Sequence, residues 1–227
     1  MIGRALTLCL AALLACADPP RSVELREDLG PDGLKRAPSD RVGLLYLRPG
    51  ASLAAYSKVR IQLLEVAYRS PPSRSRTGPS GARMNYALAP DQRERLERDF
   101  LAAFQRELVD SGLFAGATDP GPDVLDVRGR LVDLVVEVPP ESHASDRSYV
   151  RRAGELTLVL DVVDSRSGQA LLRIADRRVL SQSAGSTLYR SSPVTHTAAL
   201  RRALSRWARL LRDHLAALRQ EGELPAA

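Results

Sequence analysis

The stretch GELTLVLDVVDSRSGQALLRIADRRVL, Gly154 to Leu180, decides the fold class. Leu156, Leu158, Leu160 and Val162 alternate along its first half and so share one face of a strand. Ser165 to Gly168 supply a turn, and Ala170, Leu172 and Ile174 alternate on the way back. Ser-Arg-Ser-Gly between two alternating runs signals a β-hairpin. The stretch also holds Asp161, Asp164 and Asp176, and three acids near one turn could hold a cation. Aspartate ahead of such a turn is more simply turn chemistry, with Arg173, Arg177 and Arg178 at hand to neutralise the acids, so the structural reading is preferred.

Working outward, VGLLYL (Val42–Leu47) and KVRIQLLEVAY (Lys58–Tyr68) have the alternation of strands. In the second, Val59, Ile61 and Leu63 lie on one parity and Leu64, Val66 and Tyr68 on the other. A one-residue shift flips every side chain, so the change requires a bulge near Leu63 or burial on both faces. Pro90 opens a helix at its favoured first-turn position, Leu96, Phe100, Phe104 and Leu108 recur every four residues, and Gly112 ends it. Glu94 with Arg98, and Arg95 with Asp99, are spaced to pair along its exposed side. DVLDVRGRLVDLVVEV (Asp123–Val138) reads as one long strand or two, with a face change between Leu131 and Val132. A last helix begins after Ser192, a capping residue, and Pro193; its apolar stripe runs Leu200, Ala203, Leu204, Trp207, Leu210, Leu211, Leu215 and Leu218. The order β-β-α-β-β-β-α predicts an α+β architecture: a mainly antiparallel sheet with two helices packed on one face.

The amino terminus reads as an export signal. Arg4 precedes the apolar run ALTLCLAALL, and small residues follow. A bilayer span needs about 20 apolar residues, and this run stops short at Asp18-Pro19-Pro20. Leu13-Leu14-Ala15-Cys16 looks like the lipobox of bacterial lipoproteins, in which cleavage before the cysteine leaves a lipidated residue, here Cys16. The alternative is an ordinary A-x-A cut after Ala17 that discards Cys16; the apolar spacing favours the lipobox. Residues 1–15 are then the signal peptide and residues 16–40, rich in Pro, Asp, Arg and Gly, a flexible tether. Residues 41–221 form a single domain, interrupted by an irregular basic loop over 69–89. By resemblance to Gram-negative lipoproteins, Ala17 after the anchor implies the outer membrane, facing the periplasm.

Composition narrows the chemistry. The chain has 227 residues, 44% apolar and 26% charged, which suits a globular domain rather than a disordered chain. Its two cysteines are Cys9, inside the apolar run, and Cys16, so a matured domain has no thiol for a nucleophile, a zinc site or an iron–sulfur cluster. The net charge of +6 is carried almost wholly by arginine, and export makes nucleic acid an unsuitable partner while leaving anionic head groups open. Arg74, Arg76 and Arg83 in the loop, and Arg201, Arg202, Arg206, Arg209, Arg212 and Arg219 on the last helix, are candidate contacts for an anionic surface or a partner. Against this stands the ordinary case, a helix that buries its one apolar stripe and solvates its charges. His143, His196 and His214 stand at no metal-ligand spacing, and QSAGS (Gln182–Ser186) lacks the spacing of a nucleophile elbow. No catalytic residue, metal or cofactor is expected.

Gly154 to Arg178, preceded by YSKVRIQLLEV and PGPDVLDVRGRLVDL and followed by the helix bearing Trp207, resembles a family of uncharacterised Gram-negative lipoproteins, domain of unknown function thirty-three thirteen. The likeness runs from about Tyr56 to Leu218, with the Asp-Ser-x-x-Gly turn its most specific element. It implies a lipid-anchored periplasmic domain and brings no catalytic residue with it. The expected function is therefore a non-enzymatic adaptor or binding module, held to the membrane through Cys16 and meeting an envelope protein. The alternatives are a structural lipoprotein contacting the cell wall and an envelope hydrolase using acids such as Asp161 and Asp164.

Overall fold

A computed structural model of the chain describes residues 32–68, 88, 90–136, 149–150, 154–180, 189–190 and 193–222. In chain order its elements are β1 (Lys35–Ala37), β2 (Leu44–Leu47), β3 (Lys58–Ile61), β4 (Glu65–Tyr68), α1 (Pro90–Gln105), a π-helical turn (Arg106–Asp110), β5 (Ala115–Gly116), β6 (Val124–Val136), β7 (Tyr149–Val150), β8 (Gly154–Asp164), β9 (Ala170–Leu180), β10 (Tyr189–Arg190) and α2 (Pro193–Glu221). Cys16, the expected lipidation site, and Arg74, Arg76, Arg83, His143 and Ser192 lie outside the described residues.

The hairpin forms where the alternation places it. β8 and β9 pair antiparallel from Gly154↔Leu180 to Val163↔Ala170. The Gly168 N–H donates to the Asp164 carbonyl at 2.9 Å, and Gly168 takes φ +71°, the left-handed conformation that glycine adopts without strain. Around the hairpin the described strands form an eight-stranded sheet of order β1-β2-β9-β8-β6-β3-β5, with β4 also paired to β6; β7 and β10 form a separate pair.

The architecture is α+β and the sheet is mainly antiparallel, as expected, but it is mixed. β3 and β4 run parallel to β6, and β3 parallel to β5. The chain leaves β4, passes through α1 and re-enters the sheet at β5 and then β6, and a helical crossover of this kind makes parallel neighbours. The expected tether to Asp40 also ends earlier than its composition implied. Lys35–Ala37 pairs with Leu45–Leu47 as an edge strand, and Leu34 and Ala37 are buried.

KVRIQLLEVAY is two strands separated by the expected bulge. Ile61 pairs with Val127 and Glu65 with Arg130, so four steps on one strand match three on the other. The extra residue puts Leu63 at 70% exposure and returns Leu64 to the core at 2%. In β6 the irregularity falls between Val132 and Val135, slightly later than the pattern suggested.

Both helices bury their apolar stripes in one cluster with Val59, Leu125, Val127, Leu158, Leu160 and Ile174, so both cover the same face. Phe100 and Phe104 pack at 4.4 Å between ring centroids, and Trp207 is buried with them. Burying each such side chain stabilises the fold by about 1.5–3 kcal/mol. Gly129 is required here for close approach, since a Cβ on it would lie 2.5 Å from the Phe100 ring. On the same face Asp176 is buried, accepting hydrogen bonds from Trp207 Nε1 at 2.7 Å, Arg178 Nε at 2.6 Å and the Gly43 N–H at 3.2 Å. Arg98 pairs with Glu94 at 3.7 Å as the spacing suggests. Arg95 instead turns to Asp91, leaving Asp99 to accept from Arg201 of α2 at 2.8 Å. Among the described residues no helix is long and apolar enough to cross a membrane.

Candidate functional site

The face of the sheet that no helix covers among the described residues, the helix-free face, carries an arginine–aspartate belt. Along β6, Leu125, Val127 and Leu131 point into the core, so Asp126, Arg128 and Arg130 occupy the opposite parity. Register then sets charges against each other. Arg60 of β3 stands opposite Asp126, and Arg128, Asp161 and Arg173 align across β6, β8 and β9. Opposite charges directly across strands favour this register.

Two aspartates hold four arginines. Asp126, 1% exposed, accepts a bidentate pair from Arg60, Nε and one terminal nitrogen each at 2.8 Å, and a longer contact from Arg128 at 3.4 Å. The hydrogen bonds and charge of Asp126 raise the Arg60 pKa above its ordinary value. Asp161 is shared between Arg130, at 3.2 Å, and Arg173 Nε. Burial alone would lower the Arg173 pKa, but the hydrogen bond and charge of Asp161 outweigh it and the net shift is upward. Arg173 also reaches exposed Asp32 at 3.2 Å. These side chains line a concavity of about 540 Å³, completed by Gln62, Leu63, Glu65 and Gly129. The bulge at Leu63 forms part of its wall, which ties the irregular strand to the shape of the site.

A second charged surface lies on the outer side of α2. Arg201, Arg202, Ser205, Arg206, Arg209, Leu210 and Asp213 surround a shallow concavity of about 600 Å³. Part of that charge is neutralised within the fold. Arg201 pairs with Asp99, and Arg212 and Arg209 reach Glu107 of the π-helical turn at 2.5 and 3.8 Å.

The three acids singled out in the hairpin are kept apart. Asp161 faces the arginine belt, Asp176 the helices, and Asp164 the turn. Asp164 accepts from the backbone N–H groups of Ser167 and Arg166, the Ser167 hydroxyl and, at 2.9 Å, the Tyr56 hydroxyl. These bonds, the Ser167 N–H first, hold its carboxyl below the usual carboxylate range despite burial. Burial and the Asp164 hydrogen bond push the Tyr56 phenol up to about 12. The preferred structural reading of these acids therefore holds, Arg173 and Arg178 being partners of Asp161 and Asp176. His214 donates through Nδ1 to the Leu210 carbonyl at 2.7 Å. Among the described residues no group of three His, Cys, Asp or Glu could hold a metal ion.

Residues 26–211 match the family described as protein of unknown function DUF3313. The chain belongs to that family. The resemblance carried by the hairpin, the Asp123–Val138 strand and the Trp207 helix is thus a true one, and these DUF3313 segments supply the centre of the sheet, most of the belt and a helix on the face opposite the belt. No curated relative matches the chain. Solved structures similar to it include PelC from Paraburkholderia phytofirmans, a dodecamer, at 11% identity over 72% of this chain and 98% of that one, with a TM-score of 0.34. Protein XCC0632 from Xanthomonas campestris is 17% identical over 76% and 89%, TM-score 0.39. A neuraminyllactose-binding hemagglutinin homolog from Helicobacter pylori is 11% identical over 74% and 89%, TM-score 0.41. None of these likenesses carries a function to this DUF3313 chain.

Arg60, Asp126, Arg128 and Arg130 were not among the residues singled out from the sequence. Their signal is the alternation of charges in Asp126-Val127-Arg128-Gly129-Arg130, opposite in parity to the apolar positions.

Proposed function

We propose that the protein is a lipid-anchored envelope lipoprotein acting as a non-enzymatic binding module in the periplasm. Anchoring is assigned to Cys16, and the site of binding to the helix-free face. The arginine–aspartate concavity carries this reading: four guanidiniums fixed by two buried carboxylates form a recognition surface. Binding is the activity such a surface supports best, because an ion-paired arginine presents donors without supplying a nucleophile or a base. Asp161 and Asp164, the acids a hydrolase would need, do not converge: one is paired with arginines and the other fastened in a turn.

The covalent geometry suits an anchored module. Asp32 is sixteen residues from Cys16, and an extended chain spans at most about 3.5 Å per residue. In a protein lipidated at Cys16, Asp32 at the start of the described domain thus stays within roughly 55 Å of the leaflet. Outer-membrane sorting and an envelope protein partner, with Arg74, Arg76 and Arg83 as further contacts, complete the proposal.

Palmitate labelling of the intact chain and of Cys16→Ala, followed by crosslinking in whole cells and recovery through the anchor, tests it. Label lost in Cys16→Ala and a defined protein crosslinked through the helix-free face are expected. An unlabelled intact chain removes the anchor, and recovery of peptidoglycan alone replaces the binding module with a structural link to the wall.

A further inference from the structure

We infer that the concavity on the helix-free face binds a phosphate group through Arg128 and Arg130, with Arg60 and Arg173 fixed behind them by Asp126 and Asp161. The inference rests on the binding-module reading and names the chemistry of its ligand.

Two pairs of arginines play different parts. Arg60 and Arg173 are the inner pair, with side chains 24% and 11% exposed; Arg128 and Arg130 are the outer pair, at 48% and 36%. Each outer guanidinium gives a single nitrogen to its aspartate, at 3.4 and 3.2 Å. A guanidinium carries five N–H donors, so both forks keep donors for a second acceptor. They sit two residues apart on one side of a strand, with attachment points about 7 Å apart. A tetrahedral oxyanion between them can be held from both sides, the geometry in which arginine is favoured over lysine.

The aspartates make this arrangement a prepared one. Asp126 is buried, and an unpaired carboxylate there would lose its hydration without return. The bidentate Arg60 fork satisfies it, which leaves Arg128 the weaker contact and the more available group. Arg173 gives Asp161 its shorter contact through Nε, leaving Arg130 the longer one. Guanidiniums already restrained on a sheet lose less freedom on binding than free surface arginines. The lining holds four arginines against Asp126, Asp161 and Glu65, an excess of one cation, and Glu65 is exposed, where water and salt screen it.

The division into inner and outer pairs also supplies the variants. Arg128→Ala and Arg130→Ala remove the outer forks while each aspartate keeps its inner partner, so the fold is retained. Arg202→Ala with Arg206→Ala lowers the charge of α2 equally and serves as the electrostatic control.

The experiment uses the full chain carrying Cys16→Ala, so that no acyl chain contributes and the outcome does not depend on whether Cys16 is lipidated. Inorganic phosphate is titrated while the arginine Nε–H resonances are followed by NMR, and sedimentation with phosphatidylglycerol vesicles is run in parallel. Saturable shifts with phosphate, weakened at least about tenfold in Arg128→Ala/Arg130→Ala and unchanged in the α2 control, are expected. Sedimentation with vesicles that the same two substitutions abolish assigns the phosphate to a lipid head group; phosphate binding without vesicle binding assigns it to a soluble or polymeric ligand. Absence of both, or binding abolished by the α2 substitutions and not by Arg128→Ala/Arg130→Ala, overturns the proposal.

Discussion

On its helix-covered face the sheet offers Leu125, Val127, Leu158, Leu160 and Ile174 to α1 and α2; a side chain away, on the other face, the same strands offer Asp126, Arg128, Arg130, Asp161 and Arg173. The covered face is held by area removed from water and by fit, so its contribution scales with the volume of each side chain. The open face combines a smaller buried apolar cluster, Leu44, Tyr46, Val159, Val163 and Ala175, with a belt of ion pairs whose attraction is largely offset by the hydration they give up. Apolar pairs of similar size could fill it with little loss of stability. The difference teaches that folding and recognition are separated at the belt: apolar burial, largest on the covered face, sets how stable the domain is, while the belt residues can change without unfolding it.

Breaking the covered face has the largest expected effect. Trp207→Ala empties a buried site and removes the Nε1 donor from Asp176, and should cost about 3–5 kcal/mol in denaturant unfolding. A smaller loss would mean that the helix packs less tightly than described. On the open face, Asp126→Ala strands the half-buried Arg60 and should cost about 1.5–3 kcal/mol. The paired change Arg60→Met with Asp126→Leu should restore most of it, since a well-packed apolar pair can replace an ion pair. If the double variant is no better than Asp126→Ala, the belt is structural and the separation of the two faces fails.

The link between the hairpin turn and the Tyr56 segment is a milder case, and its dependence on pH has a definite sign. Tyr56→Phe should cost about 1 kcal/mol at neutral pH. The Tyr56 phenol is pushed up to about 12 in the fold, above its ordinary value of about 10. Stability from the hydroxyl is therefore complete below about pH 10 and lost as pH rises toward 12. The difference between the intact chain and Tyr56→Phe should close over that interval, and a difference constant to pH 12 would mean that the bond to Asp164 is not the cause. At the acid end the sign reverses. The depressed Asp164 carboxyl contributes stability above its ordinary range near about 3.9 and loses it as pH falls further.

Much of this contrast was legible in the sequence, and the rest was not for physical reasons. Alternation placed the hairpin and its turn, the four-residue recurrence of Leu96, Phe100, Phe104 and Leu108 placed α1, and the parity change at Leu63 required the bulge. These signals are local, because they arise from the burial of one face of one element. β1 was hidden because Lys35 and Arg36 are exposed and only Ala37 turns inward, so three residues leave no period to detect. The direction of β3 and β4 relative to β6 depends on the route of a crossover, which alternation does not encode. For the belt, the alternating charges of β6 were visible, but pairing Arg60 with Asp126 and Arg130 with Asp161 needs the register of three strands.

The smallest effect on stability belongs to the outer arginines. Arg128→Ala/Arg130→Ala should shift unfolding by no more than about 0.5 kcal/mol per site, as exposed ion pairs do, yet it removes the groups assigned to the ligand. A ligand that binds only the folded chain raises its unfolding temperature with concentration. The most direct measurement is therefore the thermal midpoint against inorganic phosphate, for the full Cys16→Ala chain and for the same chain with Arg128→Ala/Arg130→Ala. A midpoint that climbs with phosphate in the first and stays level in the second is the predicted result. Equal climbs in both, or no climb in either, would contradict the assignment of recognition to this face.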